Sequence, residues 1–570
     1  MRNASSPTPS VYPPPEAMRP TLVGRDHMVV AGHPLVAQIM ADVMARGGTA
    51  VDAGIAGGFA SAVIQPDMCN LGGIAPILVR PAGSDVVWSV SGVGVWGREV
   101  TLEAFLKRHG GDLPLGSPAA VVPAAVDALV TVLDRFGTWS FADIAAPSVR
   151  AAAEGFPLDP RTATALEIMG RSFVQWESSR SIYWPKGRAP LPGEMLRQPD
   201  LARTLEALAA AERGAARSAR LESVRAAFYD SPIAERLVAF NRDTGGWLGR
   251  ADLAEFRCAV VPAPNLRFGD WQVFTNDFGT QGPIMLQALG VLSSFDLAGA
   301  GADSAEGLHW LIEALKIAFG DRERHYCDPA FARIDLDGLL DPGYLAARAA
   351  EITDVAATRQ PGAGPGAARP RFDTTALCAV DRAGNAIAVV PSDTLDGGPI
   401  IPGLGLMASC RGVQSRLRPD DVNVLAPGKR PRITPAAALA LLPGTDEFMT
   451  LTCPGGDVIV QAMVQVFLNC TVHGMQPQPA VEAPRVASFS FPNSFYPNPD
   501  FPGRVDAEAR LPPDVRADLG RRGHQLHPWP DFEFDAGGVL LAGRVGLGGA
   551  DGPILVGAAD PRRSGYGTGR

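Results

Sequence analysis

Apolar residues recur at helical spacing over 34–46, and Gly47-Gly48 then supplies a left-handed stop. Residues 51–64 are nearly all small and apolar, which predicts a helix buried on every side. Its Gly54, Gly57 and Gly58 lower helix propensity, so another backbone is expected close by. Segments 76–80 and 86–90 read as a strand pair, and helical patterns follow over 119–136, 141–154, 200–211, 284–295 and 304–324. A Pro/Gly/Ala stretch, 359–370, lacks apolar anchors and reads as a mobile loop or linker. Beyond it the pattern turns to strands. Segments 374–380 and 385–390 flank a turn at 381–384, a hairpin signal; strands over 433–442 and 448–453 precede a helix over 457–473. The chain is thus helix-rich first and strand-rich second, with a loose joint near 360–373.

Composition adjusts this picture only at its edges. The 570 residues would fill three or four ordinary domains, and 46% apolar content is ample for a large core. Gly 63 and Pro 51 together make 114 of 570, or 20%, without a repeat, which excludes collagen. Residues 1–20 are Ser/Pro-rich with no apolar h-region, so they read as a disordered tail rather than a secretory signal. The longest apolar stretch, 51–64, carries Asp52 and is too short to span a bilayer, so no membrane association is expected. The net charge is −9 and only four cations are lysines (Lys107, Lys186, Lys316, Lys429). With no basic run, nucleic acid is excluded as a partner. Seven cysteines without a CxxC pair point to a reducing, cytoplasmic setting rather than a disulfide framework.

Four features invite chemistry. Gly92-Val-Gly-Val-Trp-Gly97 matches GxGxxG, but no strand ending in Asp or Glu follows at about twenty residues, as a dinucleotide site requires. Cys453-Pro-Gly-Gly-Asp457 lies where a strand meets a helix. It is either a pair of amide donors for an oxyanion or a tight turn capped by Asp457, with Cys453 as a small buried hydrophobe. Asp373-Thr374-Thr375 opens the first strand after the loose joint. A threonine made N-terminal by cleavage can use its own α-amine as base, whereas a Thr-Thr pair at a strand start is ordinarily structural. The histidines have no metal-ligand spacing: His325 reads as solvated, His33 as a turn or packing residue, and no metal or cofactor is called for.

Taken in order, these pieces resemble the gamma-glutamyltransferase family of N-terminal-nucleophile hydrolases, from about Met28 to the end. The carrying motifs are His33-Pro34-Leu35, Gly47-Gly48-Thr-Ala-Val-Asp52-Ala and Asn70-Leu-Gly72-Gly73. After them come Asp373-Thr-Thr-Ala-Leu-Cys-Ala-Val-Asp381, Gly384-Asn385-Ala386 and Ala426-Pro-Gly-Lys429-Arg430-Pro431. Pro454-Gly455-Gly456, Ala480-Val-Glu482-Ala-Pro484-Arg485 and Ala559-Asp560-Pro561-Arg562 complete the set. The resemblance implies an α+β fold, a four-layer αββα sandwich made as one precursor. Cleavage between Asp373 and Thr374 would give a large helix-rich subunit, 21–373, and a small strand-rich one, 374–570. Both would form one αββα domain. It further implies Thr374 as nucleophile, Ser392 as a second hydroxyl bonded to it, and Gly455 and Gly456 as oxyanion donors. Thr434 is placed among the substrate-binding positions.

The departures from the family bear on the substrate. The arginine that clamps the glutamyl α-carboxylate aligns with Val93, and the acidic residue that binds the α-ammonium with Gln414; neither replacement is charged. Each lost charge-assisted hydrogen bond costs on the order of 1.5–3 kcal/mol. Glutathione is therefore expected to be a poor substrate, and Arg411 to hold a different carboxylate. A small acidic amide such as oxamate, or a glutaryl-type acyl amide, fits that reading. The alternatives are a true gamma-glutamyl hydrolase or transferase, an uncleaved ligand-binding relative, and a nucleotide-cofactor enzyme built on Gly92–Gly97. Further pairing into a homo-oligomer is compatible with the family.

Overall fold

Successive residues of the central strands go to different cores, and this alternation builds the layers. In β2 (His27–Ala31), Met28 and Val30 face one core while Val29 and Ala31 face another. The computed structural model describes residues 17–357, 373–544 and 554–570. The expected loop 359–370 and most of the expected tail lie outside the described residues.

Two seven-stranded antiparallel sheets stack face to face. The first runs β14 (Tyr566–Gly569), β2, β8 (Leu377–Asp381), β9 (Ala386–Val389), β3 (Ile77–Arg80), β4 (Trp88–Val90) and β5 (Val260–Pro262). The second runs β1 (Leu22–Gly24), β13 (Leu555–Ala559), β12 (Leu540–Arg544), β11 (Phe448–Thr452), β10 (Ala437–Leu441), β7 (Trp271–Thr275) and β6 (Asn265–Phe268). Between the sheets lie Met28, Val30, Cys378, Val380, Ala388, Leu439, Phe448 and Leu540. Outside the first sheet, Val29, Leu377, Ala379 and Ile387 pack on α1 (Pro34–Ala45), α2 (Ala50–Ile64), α3 (Ala125–Phe136) and α4 (Phe141–Glu154). Outside the second, Val273, Ala440, Leu451 and Leu541 pack on α5 (Gly282–Leu292), α6 (Ala305–His325) and α7 (Ile459–Thr471). The order is helix, sheet, sheet, helix, as the family resemblance implies. Length alone suggested several domains; instead, both sheets take strands from both ends of the chain, so these segments share one sandwich.

The hairpin carrying Thr374 is set in register from both sides. Leu377 opposes Val389 in β9 and Ala31 in β2, while Val389 opposes Ile77 in β3. Its turn closes as expected: Gly384, at φ +96°, donates to the Asp381 carbonyl, and Asp381 accepts from the amides of Asn385 and Ala50. The Asp381 carboxylate thereby ties the hairpin to the start of α2. That helix is capped reciprocally by Thr49 and Asp52, and Asp52 also accepts from the amides of Thr138 and Trp139. Burial opposes charge on Asp52, yet these hydrogen bonds hold its carboxyl below the usual range.

Several boundaries and partners differ from the sequence reading. All fifteen residues of α2 are buried, but its glycines face side chains rather than backbone: a Cβ on Gly54 would meet Ile387, on Gly57 Met40, and on Gly58 Leu129. The helix expected from 119 begins at Ala125, because Pro123 interrupts it and 117–119 form a single 3-10 turn. Helices Arg217–Tyr229 and Pro232–Asp243 went unread because charged residues break their apolar stripes. One of those charges, Arg225, is buried against Asp127 at 2.5 Å. Among the described residues no helix is long and apolar enough to cross a membrane.

Candidate active site

Thr374 stands at the entry to β8, buried, and forms an antiparallel bridge with Ser392 just past the end of β9. The bridge puts the two hydroxyls 2.8 Å apart. Ser392 Oγ donates to the Asp373 carbonyl at 2.9 Å. With that proton committed, Ser392 accepts from the Thr374 hydroxyl and from Arg411 Nη2. The Thr374 amide donates to its neighbour's carboxylate, Asp373 Oδ1, at 2.8 Å. Thus a hydroxyl, a relay hydroxyl and a carbonyl are joined in one hydrogen-bonded ring.

Arg411 is held on three sides. Its Nε pairs with Asp393 at 2.6 Å, Nη1 donates to Gln414 Oε1 at 3.1 Å, and Nη2 reaches Ser392. Asp393 in turn accepts from Ser409 Oγ at 2.6 Å and has φ +93°, a strained value for a residue with a side chain. Gln414 Nε2 donates to Thr434, 3.4 Å away. Gln414 and Thr434 therefore join Ser392 through Arg411. Val93 is buried with Ile74 and Ile433 in a small apolar cluster; Ile74 bridges Ser392, and Ile433 precedes Thr434. Every one of these side chains falls in one neighbourhood, with Arg411 between Asp393, Gln414 and Ser392.

Glycines bring the surrounding backbone close. A Cβ on Gly73 would lie 2.2 Å from the Ser392 carbonyl, and Asn70 Nδ2 donates to the Asp393 carbonyl. The GxGxxG loop is explained in the same way: a Cβ on Gly92 would strike Ala75 and one on Gly94 would strike Val122. These glycines are filled against by the protein's own backbone, which leaves no cradle for a pyrophosphate. Gly455 and Gly456 both take positive φ, +130° and +59°, and neither amide has a protein acceptor among the described residues. Gly455 lies beside Arg563, whose Nη2 would be 3.6 Å from a Cβ there; Gly456 lies beside Phe495, a ring near Arg411.

Asp457 is not a helix cap. Its carboxylate accepts from Arg322 Nη1 at 2.7 Å, the Ser494 amide at 2.9 Å and Ser494 Oγ at 2.6 Å, with Gln281 as a further donor. It anchors the Gly-Gly turn to α6. Glu323, next along α6, is half-buried among Arg432, Arg416 and Arg322; burial raises its carboxyl, but the three cations pull it far below the usual range. Cys453 is buried as expected, and burial pushes its thiol up to about 11, which removes it as a nucleophile.

His33, read as a turn or packing residue, caps α1 by accepting from the Leu35 amide. His325, read as solvated, is instead half-buried, and burial lowers its pKa. Remote spacing also hid a cluster of His309, Glu313 and His524. His309 Nε2 donates to the Thr353 carbonyl, so its Nδ1 accepts from His524 at 2.8 Å. Lys316 pairs with Glu313 and donates to Ala357. An ammonium in contact with the only carboxylate opposes a metal ion here; the cluster instead fastens segment 353–357 to α6.

Sequence reasoning missed Arg563 and Asp393. Arg563 Nη1 binds both carboxylate oxygens of Asp373, at 2.7 and 2.6 Å. It lies one residue beyond the Asp560-Pro561-Arg562 motif, and Asp393 one residue beyond Ser392, so adjacency to recognised positions was the available signal.

Comparison with known proteins agrees with this layout. Residues 36–569 match the family model described as gamma-glutamyltranspeptidase. The oxamate amidohydrolase proenzyme of Klebsiella pneumoniae is 30% identical over 97% of this chain and 100% of its own length. The glutathione hydrolase-like YwrD proenzyme of Bacillus subtilis is 30% identical over 82% of this chain and 86% of its own. The crystal structure of cephalosporin acylase from Bacillus halodurans superposes with a TM-score of 0.85 at 28% identity, covering 99% of both chains. With the sandwich and the ordered motifs in place, the chain belongs to the gamma-glutamyltranspeptidase family and is an enzyme of the N-terminal-nucleophile hydrolase type.

Proposed function

We propose that the chain cleaves itself between Asp373 and Thr374 and then acts as an amidohydrolase or acyltransferase on a small acidic amide, through an acyl-Thr374 intermediate. The observation that carries this reading is the ring of Thr374 Oγ1, Ser392 Oγ and the Asp373 carbonyl. Thr374 Oγ1 attacks the Asp373 carbonyl carbon while its proton passes through Ser392 to the departing Thr374 nitrogen. The C–N bond breaks, a C–O ester forms, and water then releases Asp373. Arg411 acts here as a positioning residue: by donating to Ser392 it fixes that hydroxyl between Thr374 Oγ1 and the Asp373 carbonyl.

Once freed, the Thr374 α-amine, with an ordinary pKa of roughly 7.7–8.0, serves as base for its own hydroxyl. The free amides of Gly455 and Gly456 suit a tetrahedral oxyanion, with Asp457 holding their turn. Strands from both products interleave in each sheet, so the two pieces stay together after cleavage.

Neutral Val93 and Gln414 disfavour the charged α-carboxylate and α-ammonium of a gamma-glutamyl group, and the relative named for oxamate supports a small acidic amide. The relative named glutathione hydrolase-like supports the second reading, gamma-glutamyl hydrolysis. Turnover decides between them. An acidic amide should release ammonia and leave an acyl mass on Thr374, while glutathione should be turned over poorly. A glutathione rate typical of true transferases would reverse the choice. A single uncleaved band that binds but does not turn over amides would make the chain a binding relative.

A further inference from the structure

Arg563 is built as a carboxylate receptor, and in the continuous chain it holds the side-chain carboxylate of Asp373, which cleavage would leave on a free chain end. Its Nη1 binds both oxygens of Asp373, Nε donates to the Phe534 carbonyl at 3.2 Å, and its guanidinium stacks 3.7 Å from the Phe534 ring centre. The arm beneath it is fixed: Arg562 Nε and Nη2 grip Glu508 at 2.6 and 2.7 Å, and Arg485 pairs with Asp560 at 2.9 Å. The side chain is only 7% exposed, so losing Asp373 leaves a desolvated, immobile cation. Beyond Phe534 lies Arg161, whose partner Asp67 keeps a buried oxygen, Oδ1, without a hydrogen bond.

On the reading that Thr374 is the nucleophile, Asp373 is the acyl half of the enzyme's first substrate. Its carboxylate is two carbons, Cα and Cβ, from the carbonyl that Thr374 attacks. We infer that Arg563 is the specificity-determining residue of the mature enzyme, and that it selects acyl groups with a carboxylate two carbons from the amide carbonyl, the succinyl type. The precursor carries a template of the substrate in its own chain.

The test is a chain-length series on purified, cleaved protein: oxamate, malonamate, succinamate and glutaramate, with neutral butanamide as the control for size, assayed by ammonia release. Succinamate should have the lowest KM. Arg563→Met should raise that KM on the order of 10- to 100-fold, with much less change in kcat, and level the series; butanamide should not respond, and Arg563→Lys should recover part of the loss. Because Arg563→Met also frees Asp373 in the precursor and can impair self-cleavage, free diacids provide a second measurement on the wild type. Succinate should inhibit more strongly than malonate or glutarate. A cleaved wild type that hydrolyses acidic amides with a different preferred length, or with a KM indifferent to Arg563→Met, overturns this inference and leaves the proposed function standing. An uncleaved wild type, or no acylation of Thr374 by any amide, overturns the proposed function and this inference with it.

Discussion

Two aspartate–arginine pairs flank the candidate nucleophile, and they differ in permanence. Asp393, one residue after Ser392, pairs with Arg411, and both belong to the same piece of chain on either side of any cleavage at Asp373. Asp373, one residue before Thr374, pairs with Arg563 across the proposed scissile bond. The first pair is almost wholly buried, 1% and 2% exposed; the second is more open, 19% and 7%. Depth therefore separates a fixed pair, which orients a relay hydroxyl, from an exchangeable one. Charge alone does not distinguish them.

Removing one partner of the fixed pair should have the largest effect. Asp393→Ala leaves Arg411 buried without its counter-ion and should cost about 3–5 kcal/mol, read as a lower denaturant midpoint at unchanged slope. A loss below about 1 kcal/mol would mean that the pair is dispensable. Ser392→Ala should come next, slowing self-cleavage on the order of 100-fold while the folded protein survives, timed by denaturing gel. An unchanged rate would remove Ser392 from the relay. Breaking the exchangeable pair should matter less to stability: Arg563→Met in a Thr374→Ala background leaves only the more exposed partner, Asp373, unpaired and should cost about 1–3 kcal/mol. A cost equal to that of Asp393→Ala would erase the distinction.

A separate effect concerns pH. His524 is pushed down to about 3 by burial, then by Lys316 and His309, from an ordinary 6.5. The unfolded chain thus binds a proton more readily, so stability is full above pH 6.5 and falls as pH drops toward 3. One such proton contributes at most about 1.4 kcal/mol per pH unit. Wild type should lose more stability than His524→Gln between pH 7 and 5; equal losses would show that the site does not titrate.

Much of this was legible in the sequence, for identifiable reasons. The hairpin at 377–389 announces itself through two short apolar runs either side of Gly384, and α2 through a nearly continuous run of small apolar residues. Thr374, Gly455 and Gly456 sit within motifs whose order along the chain carries the family, and Ser392 follows from the resemblance those motifs establish. What sequence could not supply is pairing over long separations: Arg563 with Asp373, Asp457 with Arg322, and His309 with His524 are each joined only by folding. Nor does sequence supply the surroundings of Arg411, whose partners Asp393, Gln414 and Ser392 are known only from the fold.

The central claim, a self-made N-terminal threonine, is tested most directly by intact-mass spectrometry of the purified protein before and after incubation with an acidic amide. The account predicts two chains cut after Asp373, 373 and 197 residues long. The shorter should begin at Thr374 and gain the acyl mass on that residue, and Thr374→Ala should remain a single chain. A wild type that stays at 570 residues, or an acyl group carried elsewhere, would contradict it.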